Sequence, residues 1–262
     1  MKKLTITILS LFLVSVMFYS CESNDNPVTQ NTSNKKSNSK VLMEFFTAVN
    51  CPNCPPPGHF LDLIDSLKGV SINDTNVVIV RYHSNYNGYD PYYLFNPTGS
   101  AARHNYYGYL WNPAGTLMGV NLPNFDQSVW LNNINTSLEK KNPLQVGLSN
   151  IYDSTTKTGT VNVSLKLTSA SPDADLKLFV MFTENELAYT GTNGEKVHQN
   201  TYRQMLTDNA GDAVNLQPGV LENVIKPYTL KTGINTANSH IIVFVQSQNG
   251  KTVYGVERIK FN

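Results

Sequence analysis

The chain holds 262 residues, with 20 Lys+Arg against 19 Asp+Glu for a formal charge of +1, and charged residues make up only 15% of it. That length suits one large domain or two ordinary ones and excludes a mini-protein that folds only when stapled. The near-neutral balance, with 32 asparagines, argues against nucleic acid or anionic lipid held through net charge.

Residues 1–20 read as an export signal. Lys2 and Lys3 precede a run from Leu4 to Tyr19 that is apolar apart from Thr5, Thr7, Ser10 and Ser15. About sixteen such residues make a signal core, short of the roughly twenty a permanent membrane helix needs. The run ends at Ser20-Cys21, which resembles a bacterial lipobox: cleavage before Cys21 and acylation of its thiol would anchor the chain in a membrane. An ordinary secretory peptide is the alternative. Residues 21–39 are a Ser/Asn/Asp/Lys tract without hydrophobic periodicity, the composition of a disordered tether. Removing the signal and lipidating Cys21 leaves one pair, Cys51 and Cys54, in a compartment where disulfides form.

Residues 40–141 read as an α/β domain of thioredoxin-like type. Val41 to Phe46 is a strand-like run, and Cys51-Pro52-Asn53-Cys54 follows it. Phe60, Leu61, Ile64 and Leu67 then recur at helical spacing, after Pro57-Gly58. Val77 to His83 is a β-branched run fit for a buried strand. A helix is expected from Ala101 to Tyr109, a short strand over Thr116 to Val120, and a helix from about Phe125 to Lys140 with Val129, Trp130, Ile134 and Leu138 on one face. Alternating strands and helices imply a partly parallel sheet covered on its faces.

A CxxC pair between a strand and a helix points to thiol chemistry. Two thiols three positions apart close a small disulfide, and the first faces the positive end of the helix, which favours the attacking thiolate. Cys51 is thus the candidate nucleophile, with Cys54 resolving the mixed disulfide. A c-type haem would need His after the second Cys, where Pro55 stands. A zinc site would need two further ligands from the scattered His59, His83 and His104. A purely structural disulfide is the third alternative.

Residues 142–262 change period and read as an all-β, immunoglobulin-like sandwich. Leu144-Val146-Leu148, Val161-Val163-Leu165-Leu167, Leu176-Leu178-Val180-Phe182, Ile241-Val243-Val245 and Val253-Gly255-Glu257-Ile259 alternate with polar residues. Asn249-Gly250 is a type I′ hairpin signal. Val197, Tyr202, Met205 and Leu206 depart from the alternation, and their spacing predicts a helix over Val197 to Thr207 in a long connection.

The runs VLMEFFTAVNCPNCPP, RYHSNYNGYDPYYLFNP, ARHNYYGYLWNPAG and HQNTYRQML, in this order and spacing, resemble the outer-membrane-protein-28-related family of bacterial lipoproteins, whose first domain is similar to thioredoxin and is followed by a β-sandwich. The resemblance covers about residues 40–262. It implies that Cys51 and Cys54 are the redox pair and that Pro113 occupies the place of the thioredoxin-like cis-proline, with a trans proline in an Asn-Pro turn as the alternative. It implies a His83 that either tunes Cys51 or is a structural residue, and a loop with Asp90 and Tyr92 that walls a cleft or packs over an edge. His198 and Arg203, in the late segment, either pack on the first domain or cap the sandwich. Three departures from thioredoxin proper weaken a strong-reductase reading. Phe45 stands where a buried acid is usual, with Glu44 aimed at the opposite face; Asn50 replaces the aromatic before the pair; and Pro55-Pro56-Pro57 would delay the helix to about Pro57, leaving Cys51 only modestly acidified.

Two functions follow as expectations. The first is an exported, lipid-anchored protein of the cell envelope, at the outer membrane, that exchanges thiols and disulfides with envelope proteins as an oxidoreductase or isomerase. The second is an envelope binding or adhesin-type lipoprotein with a structural disulfide and an unidentified partner. Neither involves a cofactor, a metal or nucleic acid, and the sequence contains no glycine-rich strand-to-helix loop of the phosphate-binding kind.

Overall fold

Val41–Thr47 carries seven residues with no breaker, and all seven are buried in strand β1. Burial on both faces is what its near-continuous apolar run demands. The structure, a computed structural model, describes residues 39–64, 76–169 and 173–261. The expected signal, the lipidation residue Cys21, Leu67 and nearly all of the tether lie outside the described residues. The described ones belong to one compact unit, Asn34–Asn262.

Helix α1 (Pro55–Asp62) follows β1, and β2 (Val77–His83) returns parallel to it, with Phe46 opposite Tyr82 and Thr47 opposite His83. The helix begins two residues before the expected Pro57. Three prolines fill its first turn, where a missing N–H costs no intrahelical bond and a fixed φ suits the helix. The residue before them, Cys54, is the N-cap and itself holds φ −79°, ψ −29°, so the pre-proline preference for extended backbone gave way there.

The segment expected as a loop at Asp90 is a short helix, α2 (Pro91–Phe95), followed by α3 (Pro97–Tyr107). The reason is local: the Asp90 carboxylate caps the N–H groups of Tyr92 and Tyr93, and Pro91 takes the first helical position. Then come β3 (Ala114–Leu117), β4 (Val120–Asn121) and α4 (Gln127–Leu138). Trp130, Ile134 and Leu138 face the core, while Val129, expected with them, faces solvent.

Among the described residues the rest of the regular structure is strand apart from one 3-10 turn (Thr236–Asn238): β5 (Leu144–Asp153), β6 (Thr158–Leu167), β7 (Leu176–Glu184), β8 (Leu187–Ala188), β9 (Val197–His198), β10 (Thr201–Met205), β11 (Asp212–Ala213), β12 (Leu221–Thr229), β13 (Ser239–Ser247) and β14 (Val253–Lys260). The helix expected over Val197 to Thr207 is thus two strands. Asn200, with φ 52°, separates them, and a bulge between Tyr202 and Gln204 shifts the side-chain phase. A bulge turns neighbouring residues to one face, and in a sequence this imitates helical spacing. The β13–β14 hairpin also turns differently from expectation. A type I′ turn needs φ > 0 at both central residues, whereas here Lys251 alone, φ 61°, is left-handed in the loop. Asp175 accepts from the Ser247 hydroxyl and the Asn249 N–H and holds that shape.

The fold is mostly β, with a mixed sheet in the order β14-β13-β7-β10-β2-β1-β3-β4. Strand β10 joins the two halves of the chain: it is antiparallel to β7 and parallel to β2 through Thr201 and Arg81. Alternation then sorts the core. Leu42, Phe46, Val78 and Val80 share one face with Phe179, Met181, Ile242 and Phe244, under Tyr107 of α3. On the other face Met43, Phe45 and Ile79 meet α1 and α4, and Leu178, Val180, Ile241 and Val243 meet the three-stranded sheet β12-β6-β5.

Candidate functional site

The turn between β1 and α1 carries Cys51 and Cys54, joined as a disulfide. Cys51 is 1% exposed and Cys54 fully buried, packed with Ala48 and Tyr86. The backbone closes on itself here: Cys51 N–H donates to Ala48 O and Cys54 N–H to Cys51 O. Because residues 55, 56 and 57 are prolines, the first helical N–H belongs to Gly58, and it is spent on Cys54 O. A helix start normally offers three or four free N–H groups to an anion. This one offers none beyond the turn itself.

Asp90, fully buried, ties the turn to its surroundings. Its Oδ2 accepts from Val49 N–H (2.9 Å) and from His83 Nδ1 (2.8 Å), and its Oδ1 accepts from Tyr92 and Tyr93 N–H. Burial alone would raise this carboxyl. The charge and hydrogen bond of His83, with the Val49 and Tyr93 amides, outweigh it and hold Asp90 below the ordinary carboxylate value. With Nδ1 donating, His83 Nε2 is left without a partner, between the rings of Tyr92 (4.9 Å) and His198 (5.6 Å).

His198 and Arg203 come from the second half of the chain. His198 lies 4.8 Å from the Tyr92 ring and donates through Nε2 to Tyr189 O; burial, then the nearby His83, push it below the usual histidine value. Tyr92 donates its hydroxyl to Leu187 O. Arg203 stands 3.5 Å over the Phe95 ring of α2 and 2.9 Å from Glu184, at ion-pair distance without hydrogen-bond alignment. The structure therefore brings His83, Asp90, Tyr92 and His198 together in one contact group, and Arg203 touches the far end of α2.

Pro113 follows a cis bond from Asn112, just ahead of β3. Asn112 Nδ2 donates to Ser84 Oγ (2.6 Å) and to Thr47 O (3.3 Å), fastening this loop to the ends of β1 and β2. Phe45 is buried against Trp130, and Glu44 lies on the opposite face with Arg103 and Tyr107. Among the described residues no group of three or more His, Cys, Asp or Glu side chains is placed to hold a metal ion.

Sequence reasoning missed the cover of the site. The tip between β8 and β9 docks on the turn: Asn193 N–H donates to Val49 O, Asn193 Nδ2 to Ala48 O, and Thr192 Oγ1 to Asn50 Oδ1. A Cβ on Gly191 would stand 2.5 Å from Val49 O, so only glycine permits this approach. The run Gly191-Thr192-Asn193-Gly194 marks a turn in sequence, but nothing local says that it lands on residues about 140 positions earlier.

The family model described as outer membrane protein Omp28 matches residues 101–262, a stretch that begins after the cysteine pair. No curated protein matches the chain. Among solved structures, HBP35 of Porphyromonas gingivalis is similar at TM-score 0.71 and 19% identity, over 85% of this chain and 75% of that one. A domain of the outer membrane lipoprotein Omp28 from Porphyromonas gingivalis matches at TM-score 0.33 and 18% identity, over 46% of this chain and 88% of that one.

Proposed function

Because the chain belongs to the outer membrane protein Omp28 family, we propose that it is an exported envelope protein, anchored through lipidated Cys21, whose Cys51–Cys54 pair exchanges disulfides with envelope proteins. In this reading residues 40–141 form a thioredoxin-like half and 142–262 an immunoglobulin-like sandwich half.

The observation that carries the proposal is the disulfide at the head of α1, held from both sides. Asp90 fixes Val49 on one side, and on the other Asn112, next to Pro113, fixes the ends of β1 and β2. In the reduced state the Cys51 thiolate attacks a substrate disulfide, forming the mixed disulfide and releasing one substrate thiolate, which takes up a proton. Cys54, losing its proton, then attacks Cys51 Sγ; the pair closes as a disulfide, and the second substrate thiol leaves. Two electrons and two protons pass to the substrate, and the reverse order oxidises a substrate dithiol. Pro113 flanks the bound strand, and His83, held by Asp90, relays protons through Nε2.

The experiment is a trap. With Cys54→Ser the mixed disulfide on Cys51 cannot be resolved, so adducts with envelope proteins accumulate and dissolve with a reductant. The wild-type pair titrates within roughly −120 to −270 mV. Absence of adducts together with a potential below about −300 mV would refute exchange.

A second reading has its own observation, the burial of both cysteines in a turn whose Ala48 and Val49 are covered by Asn193 and Gly191. It holds that the disulfide braces the turn and that the protein binds an envelope partner instead. The same trap decides between them.

A further inference from the structure

The three-stranded sheet ends in an open edge. Among the described residues β12 pairs with β6 alone, in the order β12-β6-β5. Leu230 N–H donates to Lys157 O at the next step of that ladder. Antiparallel hydrogen bonds alternate along a strand, so the even-numbered residues of β12 bond to β6 and the odd-numbered ones point their N–H and C=O groups away from it. Two facts agree with this parity. Thr229 O accepts from Gln204 Nε2 of β10, and Pro227, which has no N–H to give, stands at an odd position, where an edge strand tolerates it. Leu221, Asn223 and Ile225 therefore turn backbone donors and acceptors toward the edge, and all three are exposed.

Most strands cannot use this edge. Pro227 withholds a donor, and Lys226 sets a charge on the side of the sheet that carries the core residues Val224 and Tyr228, two devices that blunt an edge against indiscriminate pairing. A strand that fits must place an acid opposite Lys226 and end its ladder at Pro227. The strand β12 does both for itself. Laid antiparallel on a second copy with Val224 at the twofold axis, Glu222 stands opposite the second copy's Lys226, and Lys226 opposite its Glu222. Asn223 exchanges backbone hydrogen bonds with the second copy's Ile225, and Leu221 meets Pro227 at each end, so the missing N–H falls where the ladder stops. The opposite charges then occupy non-hydrogen-bonded pairs, where side chains stand closest. Glu222 is exposed, and Lys226, paired with Asp212, is only half-buried.

We propose that β12 is a self-association edge: two copies of this chain join their three-stranded sheets through β12 into one continuous sheet, with Glu222 and Lys226 pairing across the twofold axis. The contact is isologous and closes at two copies. It uses neither Cys51 nor Cys54, and it stands whether or not they exchange disulfides.

The test is sedimentation equilibrium of the full chain in density-matched detergent, together with amide hydrogen exchange at low and high protein concentration. The chain forms dimers. The amides of Leu221, Asn223 and Ile225 gain protection as concentration rises, while those of Glu222, Val224 and Lys226, already bonded to β6, are protected throughout. Glu222→Lys sets like charges opposite each other twice and weakens the dimer about fivefold or more. Asn223→Pro removes an N–H that β6 does not use and weakens it about tenfold. Ile151→Lys, at an exposed position of β5 away from the edge, leaves the dimer unchanged. A monomer at every concentration, a dimer in which the three amides stay unprotected, or a dimer indifferent to Glu222→Lys would each overturn the proposal. Equal weakening by Ile151→Lys and Glu222→Lys would overturn it too, since sheet faces rather than edges would then be in contact.

Discussion

Two buried polar clusters tie the early part of the chain to the late part, and they differ in how fully their atoms are partnered. In the first, Arg103 donates to Glu44 Oε1 through Nε and Nη2 (3.0 and 2.7 Å) and to Gln246 Oε1, while Tyr107 donates to Glu44 Oε2 (2.6 Å) and accepts from Gln246. None of these four residues keeps a buried side-chain atom without a partner. In the second, Asp90 is fully engaged, but His83 Nε2 is not. A saturated buried network has one arrangement and serves as a fastener, whereas an unfilled valence leaves room for a proton or a ligand to enter. That contrast separates a cluster that holds the sheet to α3 from one that holds the cysteine turn beside an open atom.

The largest expected effect breaks the first cluster. Glu44→Ala leaves the Arg103 guanidinium buried without its counter-charge and should cost about 3–5 kcal/mol in urea unfolding. A loss below 1 kcal/mol would show that the cluster is not a fastener. Next, Asp90→Asn removes the charge-assisted bond to His83 and weakens the cap of α2, for a loss of about 2 kcal/mol. Under the proposed function it should also change the potential of the Cys51–Cys54 pair, which Glu44→Ala should not. Equal shifts of potential in both variants would erase the distinction between the clusters.

A smaller effect comes with pH. Burial pushes His104 and His198 below the ordinary 6.5, and burial with Arg258 and Lys260 takes His240 to about 4. The unfolded chain therefore binds protons near pH 6.5 that the folded chain refuses. Stability is fully present above 6.5 and declines as pH falls toward the folded values. Unfolding midpoints at pH 7.5 and 5 measure this, and His198→Gln should flatten the difference. A midpoint that rises on acidification would contradict the burial of neutral imidazoles. The smallest effect concerns Cys51 in the reduced protein. With no free N–H at the helix start, its alkylation should show a midpoint close to the free-thiol value of about 8.5, and a midpoint below about 6 would contradict that account.

Legibility followed the range of the interactions. Val41 to Phe46, Val77 to His83 and the alternating runs after Leu144 were readable because each buries faces set by its own period. Pro55-Pro56-Pro57 announced an unusual helix start, but its consequence was misjudged: the helix is not delayed, and what the prolines remove is the set of N–H donors. The segment over Val197 to Thr207 misread as a helix because its bulge imitates helical spacing. Asn112 carried no signal and the tip at Gly191 to Gly194 only that of a turn, since each acts through partners distant in the chain.

By itself the sequence determined the export signal and anchor as expectations, the Cys51–Cys54 spacing, the strand and helix periods, and the family resemblance. These depend on residue type and local spacing, which a linear reading contains. Only the tertiary structure decided that β10 joins both halves into one sheet and that Asp90 links Val49 to His83. Those outcomes depend on which surfaces meet, and strand pairing and burial set that across long separations in the chain.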